Sequence, residues 1–283
     1  MTATALESAD AAVHSQPAVR IVLAKIGPGT TIAEIAAILQ PTPEVAVDFD
    51  QLSVDGRAGD HVAIARLITK IANGFPLNSS SRGMMFRIAV TGSPGVGKSS
   101  LIAELIKSFG AEAPTRVAVL VCDPQSPVTG EALLGDRLRM ADCIPNRDVF
   151  IRSLATPPGL QGIAPHLFDM ESILASAGFD VLIVETVGIG QGEIAVRGLA
   201  DHVVLVLQPQ TGDDVQWDKA GVWELADTVV VHKADLPGAE TMIAALREHL
   251  VRPDGTSPNI IGVSRHTQAG QRELLALLQS ARR

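Results

Sequence analysis

Eight consecutive residues, Gly92-Ser93-Pro94-Gly95-Val96-Gly97-Lys98-Ser99, constrain this 283-residue chain more than any other feature. They fit the pattern GxxxxGK[ST]. They follow an apolar run at 86–91 and open a segment in which Leu101, Ile102, Leu105, Ile106 and Phe109 recur at helical spacing. A strand that turns through glycines into a helix is a phosphate-binding arrangement. Anionic oxygens need many N–H donors at close range, glycines let the backbone wrap without Cβ clashes, and the helix contributes the positive end of its dipole. The loop from Gly92 to Ser100 is expected to line a nucleotide's phosphates, with Lys98 neutralising the β- and γ-phosphates and the Ser99 hydroxyl on Mg²⁺.

The rest of the chain repeats the same layout. Apolar runs at 86–91, 117–123, 181–185, 202–209, 228–232 and 260–264 end in polar or glycine-rich turns, with helix-period segments between most of them. These runs lack strict alternation, as parallel strands buried on both faces do. The expected fold is α/β: a doubly wound, mainly parallel sheet of a P-loop NTPase with helices on both faces. Residues 62–71 read as an amphipathic leading helix and 273–279 as a closing one. Residues 1–58 form an N-terminal extension in which 20–25 and 33–39 suggest a strand and a helix, and 59–283 form the nucleotide-binding domain.

Two of the runs end in carboxylates, Asp123 and Glu185. In an open α/β sheet the carboxyl ends of the strands carry the ligand, beside the phosphate loop. Glu185 is expected to hold magnesium through water, Asp123 to order metal-bound or attacking water, and the Gly188 N–H to meet the γ-phosphate and let go after hydrolysis. An isolated acid at a strand end is more often a turn cap; the neighbouring phosphate loop reverses that weighting. Between these two strands, Gly130 and Gly135 flank a further candidate metal ligand, Asp136, in a loop suited to ordering around a triphosphate.

The run 228–232 leads into His232-Lys233-Ala234-Asp235, which resembles the NKxD guanine signature with His in the Asn position. Asp235 would accept from the N1–H and exocyclic amine of guanine, a donor pair adenine lacks, and an unpaired carboxylate would penalise ATP. The Lys233 stem would cover the base face. His232 can donate and accept when neutral, as Asn can, but with different reach; it would serve the base or act as a satisfied turn histidine.

With these elements in place, the chain resembles the MeaB/ArgK/MMAA family of SIMIBI-class P-loop GTPases, chaperones of cobalamin-dependent acyl-CoA mutases. The resemblance spans about residues 59–278. It rests on 92–100, Asp123-Pro124, Thr129-Gly130 with Leu134-Gly135-Asp136-Arg137, and above all Glu185-Thr186-Val187-Gly188-Ile189-Gly190-Gln191. The family resemblance implies a GTPase, slow alone and stimulated by its partner, that couples hydrolysis to loading or protection of adenosylcobalamin on a mutase such as methylmalonyl-CoA mutase. It implies that Ser99, Asp123, Asp136 and Glu185 surround magnesium, that Asp213, Gln216 and Lys219 lie in a partner-sensitive switch loop, and that Ser264, Arg265 and His266 sit at the guanine edge. Many relatives continue into a C-terminal extension that builds a dimer, whereas this chain stops soon after the 273–279 helix, so a homodimer stays open. No Asp-x-His-x-x-Gly follows the run at 19–27, and the chain is not expected to bind cobalamin itself.

Composition narrows the alternatives. The net charge of -8 disfavours a nucleic-acid surface, which is built from clustered Lys and Arg. No apolar run reaches the roughly 18 residues a membrane span needs, and the N-terminus has no basic or apolar leader, so the expected location is cytoplasmic. Seven scattered histidines and two distant cysteines, Cys122 and Cys143, argue against a metallochaperone GTPase for nickel. Cys122 reads as a buried structural thiol. A slow guanine-nucleotide sensor or docking module stays open, whereas a small-molecule kinase lacks a visible second substrate site.

Overall fold

The computed structural model describes residues 59–74, 84–112, 115–124, 148–156, 164–186, 197–209, 222–252 and 254–282. Residues 1–58, and with them Asp136, Cys143, Gly188, Asp213, Gln216 and Lys219, lie outside them.

Leading helix α1, His61–Ala72, starts at Asp60, whose carboxylate accepts from the backbone N–H of Val62 at 2.8 Å and of Ala63 at 3.3 Å. That cap satisfies donors which a helix start otherwise leaves orphaned. Ile64, Leu67, Ile68 and Ile71 then recur on one face and are fully buried. The elements that follow are β1 Phe86–Thr91, α2 Lys98–Glu112, β2 Val117–Pro124, β3 Val149–Thr156, α3 Leu167–Ser176, β4 Val181–Glu185 and β5 His202–Leu207. They continue with α4 Val222–Leu225, β6 Thr228–His232, α5 Ala239–His249, β7 Asn259–Val263 and α6 Gln271–Ala281.

The strands form one seven-stranded sheet in the order β3-β2-β4-β1-β5-β6-β7, with every pair parallel. β1 is central: the chain first builds outward on one side through β2 and β3, returns to insert β4, then crosses to β5, β6 and β7 on the other. This reversal puts a crevice at the carboxyl ends of β1 and its neighbours, where ligands of such sheets bind. Residues of β1, β4, β5 and β6 are buried throughout, which explains their unalternating apolar sequence. On one face Ile88, Val90, Val119 and Ile183 pack with α2 and α6 through Ile102, Leu105, Leu274 and Leu278. Leu246 and Leu250, in and just after α5, pack with Leu205, Val229 and Val231. α1 lies against α3 and β3, where His61, Phe150 and Phe179 form an aromatic cluster and the Arg116 guanidinium sits 4.6 Å from the Phe179 ring centre.

The expected doubly wound α/β sheet is observed, with two differences. Strand β3 has no counterpart among the expected runs. It is one of the sheet's two outer strands, and its sequence VFIRSLAT interrupts the apolar run with partly exposed Arg152 and Ser153. The run at 202–209 ends as a strand at Leu207, and 260–264 shifts by one residue to Asn259–Val263. None of the described helices is long and apolar enough to cross a membrane.

Candidate functional site

The loop between β1 and α2 has the backbone its glycines allow. Gly92, Gly95 and Gly97 take φ values of 147°, 80° and 105°, a region that side-chain-bearing residues avoid. At two of these positions space is short as well. A Cβ on Gly92 would lie 2.4 Å from the Val206 carbonyl oxygen, and one on Gly97 would lie 2.3 Å from His232 Nδ1. The loop is thus pressed against the ends of β5 and β6. Lys98 is buried, and its ammonium turns back to donate to the carbonyls of Gly92 at 2.9 Å and Ser93 at 3.2 Å. This holds one positive charge over a turn that already points a helix N-terminus at the crevice.

Register brings the acids to the same place. Glu185, the last residue of β4, lies level with Val90 of β1 and Val121 of β2. Asp123 is two residues beyond Val121, hence on the same face and roughly 7 Å further along the strand. Both carboxylates are buried, at 6% exposure for Asp123 and 4% for Glu185. The Ser99 hydroxyl, at the first turn of α2, donates to Glu185 Oε1 at 3.1 Å. Thr186 Oγ1 donates to Thr91 Oγ1 at 3.1 Å, and the Thr186 N–H donates to the Val90 carbonyl, so the ends of β1 and β4 are pinned beside the loop.

A hydroxyl and two carboxylates offer a hard cation only oxygen donors, and too few to form a complete cage. That suits Mg²⁺, which keeps several waters and binds through one or two carboxylates plus substrate phosphates. Among the described residues no group of three or more His, Cys, Asp and Glu side chains could hold a metal on its own. Beside the acids, the Cys122 thiol is buried and accepts from the Ala164 N–H at 3.4 Å. Burial first, then the neighbouring Asp123 and Glu185 charges, push it up to about 12. It stays a thiol, as expected of a structural cysteine.

At the far side of the loop stand the residues expected to meet the base. His232 ends β6 and is buried; its Nδ1 lies 3.0 Å from the Val96 carbonyl oxygen. A carbonyl only accepts, so Nδ1 carries the proton. Burial lowers the pKa of His232, which favours the neutral ring. Lys233 takes a left-handed φ of 59° and donates from Nζ to Gln208 Oε1 at 2.6 Å. Left-handed backbone costs a β-carbon-bearing residue roughly 1–2 kcal/mol and concentrates at ligand clamps. Asp235 is exposed, and the fully buried Ser264 donates to its Oδ1 at 2.5 Å. That hydrogen bond holds the Asp235 carboxyl below the usual carboxylate range.

Ser264 is a hub. Its Oγ accepts from the Thr267 N–H, its N–H donates to Ala269 O, and its carbonyl accepts from Gln271 Nε2. The Gln271 amide also donates to Glu104 on α2 at 3.0 Å, and Arg265 pairs with Glu104 at 3.6 Å. Arg265 and His266 are exposed. The structure therefore brings Lys98, Ser99, Glu185 and Asp123 to one strand edge and joins His232 to the same loop. Asp235 and Ser264 pair at the ends of β6 and β7. Gln208, Thr91 and Gln271, which support these groups, carry no sequence signal beyond their places after a strand, at a strand end and at a helix start.

The chain is similar to several known proteins. Residues 57–282 match the family described as "Methylmalonyl Co-A mutase-associated GTPase MeaB". A Pyrococcus horikoshii protein named for an inferred GTPase activity is 40% identical over 243 residues, covering 80% of this chain and 75% of its own. A Pyrococcus abyssi protein of the same description is 44% identical over 203 residues, and the match spans 61% of that relative's length. The mitochondrial methylmalonic aciduria type A homolog of Caenorhabditis elegans is 40% identical over 152 residues, 54% of this chain and 38% of that protein. Among solved structures, the LAO/AO transport system kinase superposes with a TM-score of 0.57 at 23% identity over 82% of this chain and 75% of its own, a likeness of fold. The match over residues 57–282 shows that the chain belongs to the methylmalonyl Co-A mutase-associated GTPase MeaB family.

Proposed function

We propose that the chain binds GTP with Mg²⁺, hydrolyses it to GDP and phosphate, and uses the difference between the two states to control a cobalamin-dependent acyl-CoA mutase. The observation that carries the nucleotide reading is the Ser99–Glu185 hydrogen bond at the mouth of the glycine loop, with the Lys98 ammonium beside it. The loop N–H groups and Lys98 would hold the β- and γ-phosphates, and Ser99, Asp123 and Glu185, with Asp136, would hold the cation directly or through water. Magnesium, held there, would supply positive charge against the negative charge that develops on the phosphate oxygens. Asp123 orders the attacking water, whose oxygen bonds to the γ-phosphorus as the bond to the β–γ bridging oxygen breaks; the water's proton leaves with the phosphate. Asp235, ionised and held by Ser264, accepts from the guanine N1–H and amine, with Lys233, Arg265 and His266 around the base.

The Gly188 N–H, together with Asp213, Gln216 and Lys219, senses the γ-phosphate and passes its state to the partner. The family description supports a mutase as that partner. In this reading the chain times adenosylcobalamin loading or protection without binding cobalamin itself, and it works in the cytoplasm, where a homodimer is one arrangement. The test is calorimetry with GTP, GDP and ATP in Mg²⁺, then turnover with and without an acyl-CoA mutase. Guanine-selective binding with mutase-stimulated hydrolysis supports the reading; tight binding that no such mutase stimulates would leave a nucleotide sensor.

A further inference from the structure

Where the guanine motif usually has Asn, this chain has His232, and the structure gives the ring a specific environment. Its Nδ1 meets the Val96 carbonyl at 3.0 Å, and the ring fills the space that a side chain at position 97 would need: a Cβ on Gly97 would lie 2.3 Å from Nδ1 and 2.5 Å from Cε1. The ring is 4% exposed, and the charged groups acting on it are Lys233, Asp235 and Glu104. Guanine presents two acceptors, N7 and O6, on its major-groove edge. A residue that reads that edge must donate. Neutral imidazole has one N–H, and here that N–H is spent on Val96.

We infer that His232 makes no hydrogen bond to the base and is a positioning residue for the phosphate loop, a strut that ties the end of β6 to the Val96-Gly97 peptide. This rests on the guanine-nucleotide reading above. Guanine preference then falls to Asp235 alone, while His232 sets how well the loop N–H groups meet the phosphates. Gly97 and His232 form a matched pair: the ring occupies the side-chain space that the glycine leaves, and neither can be enlarged without moving the other.

The discriminating probe is 7-deaza-GTP, in which N7 is replaced by C–H. Wild-type protein is expected to bind it within about twofold of GTP, since no protein donor is lost. His232→Ala should weaken GTP and GDP alike by about tenfold, with the GTP-over-ATP ratio unchanged, and His232→Asn, which restores an amide donor to Val96, should recover most of the loss. Nitrogen-15 spectra of the GDP complex should show a neutral ring protonated on Nδ1. A tenfold penalty for 7-deaza-GTP in the wild type, a proton on Nε2 in the complex, or unchanged GTP affinity in His232→Ala would each overturn the assignment. The first two need no variant to fold. Failure to bind either guanine nucleotide would instead sink the guanine reading itself.

Discussion

The hydroxyl of Ser99 donates to the carboxylate of Glu185 across 3.1 Å, joining the first turn of α2 to the last residue of β4. These residues are 86 positions apart in the chain, and the contact exists because β4 inserts beside β1 rather than following β3 at the sheet edge. Both groups are buried, so the pair is an organised oxygen site rather than a chance surface contact.

Glu185→Gln keeps the shape and removes the charge. It is expected to lower Mg²⁺-dependent GTP affinity by about 10–100-fold, the range for groups that hold a metal through its outer shell. Nucleotide affinity in EDTA should hardly change. Titrating GTP with and without Mg²⁺ measures this directly; a variant as Mg²⁺-responsive as the wild type would remove Glu185 from the metal site.

Asp235 bears on the base. The hydroxyl of Ser264 donates to its carboxylate and holds the carboxyl below the usual range. Asp235→Ala is expected to bring GTP and ATP to within about tenfold of each other, since the site discriminates by pairing this carboxylate with guanine's two donors, which adenine lacks. Ser264→Ala should lower GTP affinity less and keep the order of preference. Competition of each nucleotide against a fluorescent GDP analogue reads both variants.

The phosphate loop was legible because its residues are contiguous and its glycines have one physical purpose. Gly92 and Gly97 adopt positive φ and close contacts that forbid a β-carbon, as expected of a backbone wrapped around phosphate. The central strands were legible because burial on both faces demands unbroken apolar sequence. Strand β3 was missed for the converse reason: at the sheet edge Arg152 reaches out to Thr69 on α1 at 2.8 Å, and Arg152 and Ser153 interrupt the run. Helix α3 is preceded by His166, which has a left-handed φ of 59° and makes no side-chain cap, so it lacks the start signal that Asp60 gives α1. Gln208 and Gln271 were invisible because polar residues after strands and before helices are commonplace; only the fold makes one a partner of Lys233 and the other of Glu104.

The leading helix offers a test of where the domain begins. Leu67 is fully buried on the face of α1 that packs on α3 and β3. Leu67→Ala should destabilise the protein by about 2–5 kcal/mol, the cost of a core leucine truncation with partial collapse of the cavity. Urea unfolding should show one transition at lower midpoint, and GTP affinity well below that midpoint should be unaffected. A loss below about 1 kcal/mol would mean that α1 is peripheral to the domain's stability.

Acid sensitivity should come first from two buried histidines. His202 opens β5 with Nε2 at 2.9 Å from Thr228 Oγ1, near Asp227 and Arg197, and burial lowers its pKa; burial lowers that of His232 as well. In the unfolded chain both titrate near about 6.5. As pH falls through that value the unfolded state takes up protons that the folded state does not, so stability declines with pH until the lowered folded values are reached. The carboxyls of Asp235 and Asp254, held down by Ser264 and Thr256, act in the same direction but only below the ordinary carboxylate range. Urea midpoints should therefore drop between about pH 7.5 and 5.5, and the double variant His202→Gln, His232→Asn should flatten that slope while leaving the decline below about pH 4 in place. An unchanged slope in the double variant would mean that neither imidazole is kept neutral by the fold.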